Sequence, residues 1–314
     1  MAVFAPTPLL TVTVEEGSDR PDIHIHAGGQ GIWVARMAAT LGAEVFLAPL
    51  GGETGDVLRA LIASEQLTLR ASSALSSNGI YIHDRRSGRR VELATSLARP
   101  LGRHELDELY GITLTTGLGA DAVLLTGPYP HDAVDARLYS RLTQDLRDNG
   151  KLVIADLTGP ALRAVLHAGI DLLKLSHEEV IAEGFASGDT LGDLVAGMRC
   201  LHECGAASVV VSRGAAPTLA LTSGPEPGRL VEVLGPRFQE LDHLGAGDSM
   251  FAALGVALAG GLTLHDALRV GTAAGALNVT RHGLGSGSRT EIEHFAGLVA
   301  VRPCVHVAEH PPDE

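Results

Sequence analysis

The feature that most constrains this chain is a repeated alternation of short, wholly apolar runs with stretches of helical period. Residues 45–49 read as a strand and 53–62 as a helix. Residues 121–125 read as a buried strand, followed by a helix over about 132–147; 151–155 as a strand, followed by a helix near 160–167. A short strand at 171–173 leads into a helical turn at 176–182, then a helix over 191–203 and the apolar strand 208–211. Strands that are apolar on both faces and separated by helices belong to a mostly parallel sheet covered on both sides. The pattern predicts an α/β, doubly wound fold.

Two regions depart from that rhythm. Residues 10–14 and 22–26 alternate polar and apolar side chains, as do 79–84 and 90–94, which flank the turn Arg85-Arg86-Ser87-Gly88. Alternation marks strands with one wet face. These strands, spanning approximately 9–27 and 78–96, form either a small sheet that covers a site or meets another subunit, or two surface hairpins. The last third reads as helices over 246–258, 264–280 and 291–299, and the polar segment 303–314 as a loose tail. With 314 residues and 45 % hydrophobic content, 1–314 is expected to be one domain. Aromatics are only 4 %, so aliphatic side chains must fill its core.

Charge narrows the partners. A formal net charge of −13 repels a phosphate backbone, so no nucleic-acid partner is expected. No apolar run approaches the ~18 residues that a membrane-spanning helix needs, so no membrane association is expected. The opening Met1-Ala2-Val3-Phe4-Ala5-Pro6 lacks a basic n-region. Cys200, Cys204 and Cys304 are odd in number and read as reduced thiols, so a cytoplasmic location is expected. His24 and His26 share one face of a strand but have no evident third metal ligand, and read as surface-strand residues.

The chemistry-bearing stretch is Asp242-His243-Leu244-Gly245-Ala246-Gly247-Asp248-Ser249-Met250, where small residues run into an apolar helix. Backbone N–H groups at a helix start lack intrahelical partners, and without large side chains an anion can approach them. Gly245, Ala246 and Gly247 therefore suggest a cradle for negative charge. Asp248 makes sense beside it as the base that takes a proton from an attacking hydroxyl. The plain alternative is a tight turn with a helix-start carboxylate. A second Gly-rich entry to a helix is Gly28-Gly29-Gln30-Gly31-Ile32-Trp33-Val34-Ala35-Arg36, and Gly51-Gly52-Glu53-Thr54-Gly55 follows the next strand.

Together these stretches resemble the two signatures of the PfkB (ribokinase-like) carbohydrate kinases. Thr126-Gly127-Pro128-Tyr129-Pro130, Asp156-Leu157-Thr158-Gly159 and Ser212-Arg213-Gly214-Ala215 resemble further turns of the 1-phosphofructokinase and tagatose-6-phosphate kinase branch. The resemblance implies a ribokinase-like, mostly parallel sheet with helices on both faces and a small β-sheet lid. It implies ATP-dependent phosphoryl transfer to a hydroxyl of a sugar or sugar phosphate, with ATP and Mg²⁺ as cofactors. Asp248 is then the catalytic base and Gly245, Ala246 and Gly247 the anion hole. Glu179 matches the Glu of the family's Asn-x-x-Glu and is expected to order the hydration shell of magnesium, with Ser176 in place of the Asn. Ser212, Gly214 and Ala215 border the nucleotide, Lys174 lies near its phosphates, and Asn278 approaches its adenine side.

The substrate side departs from the family. Thr11 stands where the branch carries an Asp that holds sugar hydroxyls, and a Thr hydroxyl cannot grip two hydroxyls as a carboxylate does. In the Gly28-Gly29 turn, Gln30 replaces a Lys and Trp33 an Asn; Ser77-Asn78-Gly79 stands where a Thr-Arg is usual. Trp33 offers a ring for stacking on the acceptor or a core or interface anchor. Arg36, Arg89 and Arg90 are candidates to restore the missing positive charge. The loss of cations motivates a second reading, a kinase of a nucleoside or other unphosphorylated polyol. The same departures motivate a third, a kinase-fold protein that binds a metabolite with little turnover. A homodimer through the lid strands is the expected assembly.

Overall fold

In the computed structural model, which describes residues 1–43, 45–223, 229–236, 238, 244–280 and 285–304, the chain opens with β1 (Ala2–Phe4), β2 (Leu9–Glu15), β3 (Asp22–Gly28) and α1 (Gln30–Thr40). It continues through β4 (Val45–Gly51), α2 (Gly52–Ser64), β5 (Leu69–Ala74), β6 (Gly79–Asp84), β7 (Val91–Ser96) and α3 (Arg103–Leu118). Next come β8 (Ala122–Thr126), α4 (Ala136–Asp148), β9 (Leu152–Asp156), α5 (Gly159–Ala168), β10 (Ile170–Ser176), α6 (His177–Ala182) and α7 (Leu191–Glu203). The remainder is β11 (Ala206–Arg213), β12 (Ala216–Thr222), β13 (Arg229–Leu234), α8 (Ala246–Ala259), α9 (Leu264–Asn278), α10 (Arg289–Ala296) and β14 (Ala300–Pro303).

Ten strands form the main sheet in the order β14-β13-β12-β11-β10-β9-β8-β1-β4-β5. From β5 to β11 every pair is parallel, and β12, β13 and β14 extend the sheet antiparallel. The central parallel strands β1, β8, β9 and β10 are largely buried on both faces, as their apolar runs demand, while the edge strand β5 is partly exposed. Along β1 and β8 the side chains split between two cores. Val3 and Leu124 pack with Phe251, Leu254 and Leu268 on one face. Phe4, Val123 and Leu125 pack with Leu109, Tyr139 and Leu142 on the other.

A second sheet, ordered β3-β2-β6-β7, stands apart as the lid. Register puts Thr11 opposite His26 and Tyr81, and Thr13 opposite His24 and His83, so these side chains share one face. Val12, Ile25 and Ile82 lie on the other. Thr11, Thr13 and His83 are buried, and Thr13 Oγ1 lies 3.2 Å from His83 Nε2. Ile23 and Ile25 are exposed. The lid thus turns its polar face inward and its aliphatic face outward, the reverse of an ordinary surface sheet.

Several boundaries differ from the sequence reading. The helix expected from about 132 begins at Ala136, because the Asp135 side chain accepts the Arg137 N–H and caps it there. The strand at 171–173 is longer, Ile170–Ser176. Pro303 is not in a loose tail: it pairs with Val231, and Cys304 N–H donates to Leu230 O at 2.9 Å. The rest of that tail, 305–314, lies outside the described residues.

Candidate active site

Thr126, Asp156 and Ser176 are the last residues of β8, β9 and β10, so the edge they form is the carboxyl edge of the parallel sheet. β1 lies between β4 and β8, the point where the chain winds away in both directions. Ligands of doubly wound sheets bind in the crevice at such a point.

α8 supplies the cradle. Its cap, Gly245, has φ 76° and ψ 0°, a left-handed conformation that costs a side-chain-bearing residue energy. Ala246 and Gly247 begin the helix, and Asp248 lies in its first turn. The turn is held from behind by Asn278 on α9, which is only 1 % exposed. Its Nδ2 donates to Leu244 O at 2.8 Å, and its Oδ1 accepts from Ser249 Oγ at 3.1 Å and Gly285 N at 3.2 Å. Asn278 thus lies inside the wall of the site, with its amide engaged by the protein. Asp242 and His243 of the same stretch lie outside the described residues.

Lys174 reaches into this corner from β10. A Cβ at position 247 would lie 2.7 Å from Lys174 Nζ, so glycine there leaves room for the ammonium beneath the helix start. Lys174 is 4 % exposed and donates to Asp156 Oδ2 at 2.8 Å. Asp156, Glu179 and Asp248 all act on it electrostatically and hold its pKa above the ordinary value against the cost of burial. Burial pushes Asp156 above the carboxylate range, because desolvation outweighs the pull of Lys174. Asp248 is pushed up to about 6, mainly by desolvation and further by Glu179, while Lys174 and a side-chain hydrogen bond from Gln30 draw it down. Three carboxylates around one ammonium leave the corner rich in oxygen donors and net negative before any nucleotide enters.

Glu179 sits on the first turn of α6. Its Oε2 accepts the Ser176 N–H at 2.7 Å, and Ser176 Oγ accepts the Glu179 N–H at 3.2 Å, a reciprocal capping box that fixes the carboxylate. Ser176 and Ser212 are neighbours in register across β10 and β11. Gly214 and Ala215 form the exposed turn that follows, with open space where a Gly214 Cβ would stand. This corner therefore brings together Gly245, Ala246, Gly247, Asp248, Lys174 and Glu179. Ser212, Gly214 and Ala215 extend it along the sheet edge.

On the other side, Gly28 ends β3 and Gly29 caps α1 with φ 99°. Gln30 Oε1 accepts the Gly127 N–H at 2.8 Å and its Nε2 reaches Asp156 O at 3.4 Å. Thr11 lies under Gly28, is 4 % exposed, and its Oγ1 has no hydrogen-bond partner among the described residues. Trp33 is half-buried on α1, with its backbone against Gly285. Of the candidate compensating cations, Arg36 is committed to Glu65 at 2.6 Å and to Ala27 O at 2.6 Å. Arg90 acts on His26 and Tyr81, which places its charge at the polar face of the lid. Asn78 is spent on the hinge, bonding Gly51 N, Pro8 O and Pro49 O.

Sequence reading missed a role for Asp156 and Asn78. Asp156 carried two signals, a carboxylate ending an otherwise apolar strand and its place in the Asp156-Leu157-Thr158-Gly159 stretch, but neither pointed to its pairing with Lys174. Asn78 carried none beyond the absence of an arginine.

The family described as pfkB family carbohydrate kinase matches residues 7–291. The ATP-dependent 6-phosphofructokinase isozyme 2 of Mycobacterium tuberculosis is 29 % identical over 285 residues, covering 87 % of this chain and 80 % of that protein. The isozyme 2 of Escherichia coli is 30 % identical over 261 residues, covering 82 % of each. The crystal structure of phosphofructokinase-2 from Escherichia coli in complex with potassium superimposes with a TM-score of 0.82 at 26 % identity, covering 95 % of this chain and 98 % of that one.

Proposed function

The chain belongs to the PfkB family of carbohydrate kinases and is a sugar kinase that uses ATP, and from that premise we propose how its own residues carry the reaction. The acceptor hydroxyl meets the Asp248 carboxylate, which takes its proton as the oxygen attacks the γ-phosphorus of ATP. The new O–P bond forms as the bond to the ADP oxygen breaks. The N–H groups around Gly245, Ala246 and Gly247, backed by the Lys174 ammonium, neutralise the charge on the transferring PO₃ group. The observation that carries this reading is the placement of Lys174 Nζ directly beneath Gly247, at the helix start that also bears Asp248. Cradle, cation and base thus occupy one corner.

Mg²⁺ fits the donor set. Among the described residues no three His, Cys, Asp or Glu side chains converge into a protein cage for a metal. A hard cation that keeps most of its waters and binds through phosphate oxygens suits Glu179, whose capping box holds one carboxylate oxygen fixed. Held there through its water shell by Glu179, such an ion would supply positive charge to neutralise the phosphates. Ser212, Gly214 and Ala215 border the nucleotide. Asn278 positions the cradle from behind.

The acceptor is a sugar or sugar phosphate, consistent with the 6-phosphofructokinases among the relatives. Thr11, Gly28, Gly29 and Trp33 line its side of the crevice. The unpaired, buried Thr11 hydroxyl favours contact with a ligand hydroxyl once the lid adjusts. The assembly is a homodimer in which the outward aliphatic face of the lid, with Ile23, Ile25 and Val12, meets its copy. The test is transfer of labelled γ-phosphate from ATP to a panel of hexoses, hexose phosphates and nucleosides. Acceptor-dependent labelling of a sugar or sugar phosphate is expected. Labelling of nucleosides alone would replace the acceptor class, and no transfer to any acceptor would overturn the kinase reading.

A further inference from the structure

The acceptor side of the crevice ends in a groove between the root of the lid and the turn after β8. It encloses about 290 Å³, at the small end of ligand sites. Register shows which lid side chains enter it. Leu9, Thr11 and Thr13 share one face of β2, and the buried Thr11 and Thr13 mark that face as the inward one. Thr11 pairs with Tyr81, and Tyr81 pairs in turn with Thr95, so Leu9, Tyr81 and Thr95 all turn inward. Together with Leu97 they line the groove from the lid, and Thr7 and Tyr129 line it from the main domain. The Tyr129 N–H donates to Thr7 Oγ1 at 2.9 Å, which fixes that wall. The groove continues from the reaction corner. Leu9 lies opposite Gly28, the residue before the cap of α1, and Tyr129 is two residues past Gly127, whose N–H is held by Gln30 at 2.8 Å.

The chemistry of the lining is uniform. Among the described residues, no Lys, Arg, His, Asp or Glu side chain lines the groove. Two phenol rings, two leucines and threonine hydroxyls face it instead. The His83 ring braces Tyr81, with centroids 5.1 Å apart and 30° between the planes. Tyr129 is 60 % exposed, so its ring is available to a ligand. A phosphate entering here would give up water with no cation to replace it. An uncharged ring buries its apolar face against a phenol and keeps its polar edge for the hydroxyls. The nearby cations stand elsewhere. Arg90 precedes Val91, which pairs with Asp84 at the tip of the lid. Arg99 lines the neighbouring depression beside Ser76 and Ser77.

We infer that this groove holds the end of the acceptor remote from the reacting hydroxyl, and that it selects an unphosphorylated sugar, whose own ring or an uncharged ring attached to it rests against Tyr81 and Tyr129. The inference rests on the kinase reading and narrows its acceptor. Thr11, beside Tyr81 in register, offers a hydroxyl with no partner among the described residues to the same ligand.

The experiment compares transfer of labelled γ-phosphate to hexoses, to nucleosides and to the phosphate ester of each, in the native protein and in Tyr129→Ala. The best acceptor is expected to be unphosphorylated, with kcat/KM roughly tenfold or more above that of its phosphate ester. Preference for a hexose or for a nucleoside then tells whether the ring in the groove is the sugar's own or one attached to it. Tyr129→Ala is expected to raise the KM for that acceptor about tenfold, with kcat within about twofold and the KM for ATP unchanged. A general loss of structure would move all three. Preference for a phosphate ester overturns the inference and leaves the kinase reading intact; loss of that preference in Arg99→Gln would then place the phosphate in the neighbouring depression. An unchanged acceptor KM in Tyr129→Ala also overturns it. If no acceptor is phosphorylated, the kinase reading fails on its own, and the groove is tested by saturation-transfer NMR with D-fructose and adenosine as probes. A signal from either probe that is lost in Tyr129→Ala supports the groove, and the absence of any such loss overturns it.

Discussion

In the proposed mechanism Asp248 takes the acceptor proton, and its environment makes its protonation measurable. Burial lifts its pKa to about 6, above the 3.8 of an unfolded aspartate. The native state therefore binds this proton more tightly than the unfolded chain. The carboxyl lowers stability above pH 6, and that penalty disappears as pH falls through about 4. Two outcomes are expected at this scale. The kcat/KM for the acceptor should fall about tenfold per pH unit below about pH 6, as the base becomes protonated. Asp248→Asn should melt at a higher temperature than the native protein at pH 8, with the difference vanishing near pH 4. Thermal melts at the two pH values check the sign. A destabilised Asn variant at pH 8 would mean that the carboxylate is stabilised by its surroundings rather than strained by them. The left-handed Gly245 and the helix start at Gly247 and Asp248 were legible in the sequence as a small-residue entry to a helix, while their chemical role is the proposal. The balance of Asp156, Glu179 and Asp248 around Lys174 was not. It arises where β9, β10, α6 and α8 converge, and no local spacing encodes that meeting.

The elements hold the cradle in place more than the cradle holds itself. α8 opens without a side-chain cap, so its first N–H groups stay open, and Asn278 on α9 anchors the turn from behind by binding Leu244 O, Ser249 Oγ and Gly285 N. Asn278→Ala removes all three partners inside the protein, and a buried group left unpaired costs about 1–3 kcal/mol. Denaturant unfolding should show a loss of at least that size, and kcat should fall more than either KM. A variant with full stability and a raised KM for ATP alone would instead place Asn278 against the nucleotide. Most helices and central strands followed from periodicity, but α3 and the three-residue β1 were not read: α3 buries only Leu109, Thr113 and Gly117, and β1 is too short to show a pattern. The antiparallel extension β12, β13 and β14 did not follow either, because its short strands resemble ordinary surface alternation and acquire their partners only through β11. The start of α4 shifted for a local reason, since Asp135 caps the helix.

For the molecule as a whole, the lid is the part that a single copy leaves unfinished. Thr11, Thr13 and His83 face inward while Ile23 and Ile25 on the opposite face are exposed among the described residues. In the proposed homodimer, pairing of two lids covers that face. Ile25→Glu places a charge on it, and light scattering should show a dimer for the native protein and a monomer for the variant, with the main domain still folded by circular dichroism. A native protein that is monomeric at assay concentration would contradict this assembly. The alternation in these strands was visible in the sequence, but which face turns inward is not encoded by alternation alone, because either face can be the wet one until the sheet packs on the rest of the chain. Net charge of −13 and the absence, among the described residues, of any helix long and apolar enough to cross a membrane concern the outer surface. They do not determine the acceptor, which depends on the crevice between lid and sheet edge.

The most direct test of the central claim is single-turnover transfer from ATP to the best acceptor by Asp248→Asn, beside the native protein, at pH 8 where the native carboxyl is ionised. If Asp248 is the base held beside the cradle, the transfer rate falls by about 10²–10⁴-fold while ATP and acceptor bind within a few-fold of the native affinities. A transfer rate within tenfold of the native one, with binding intact, would contradict it.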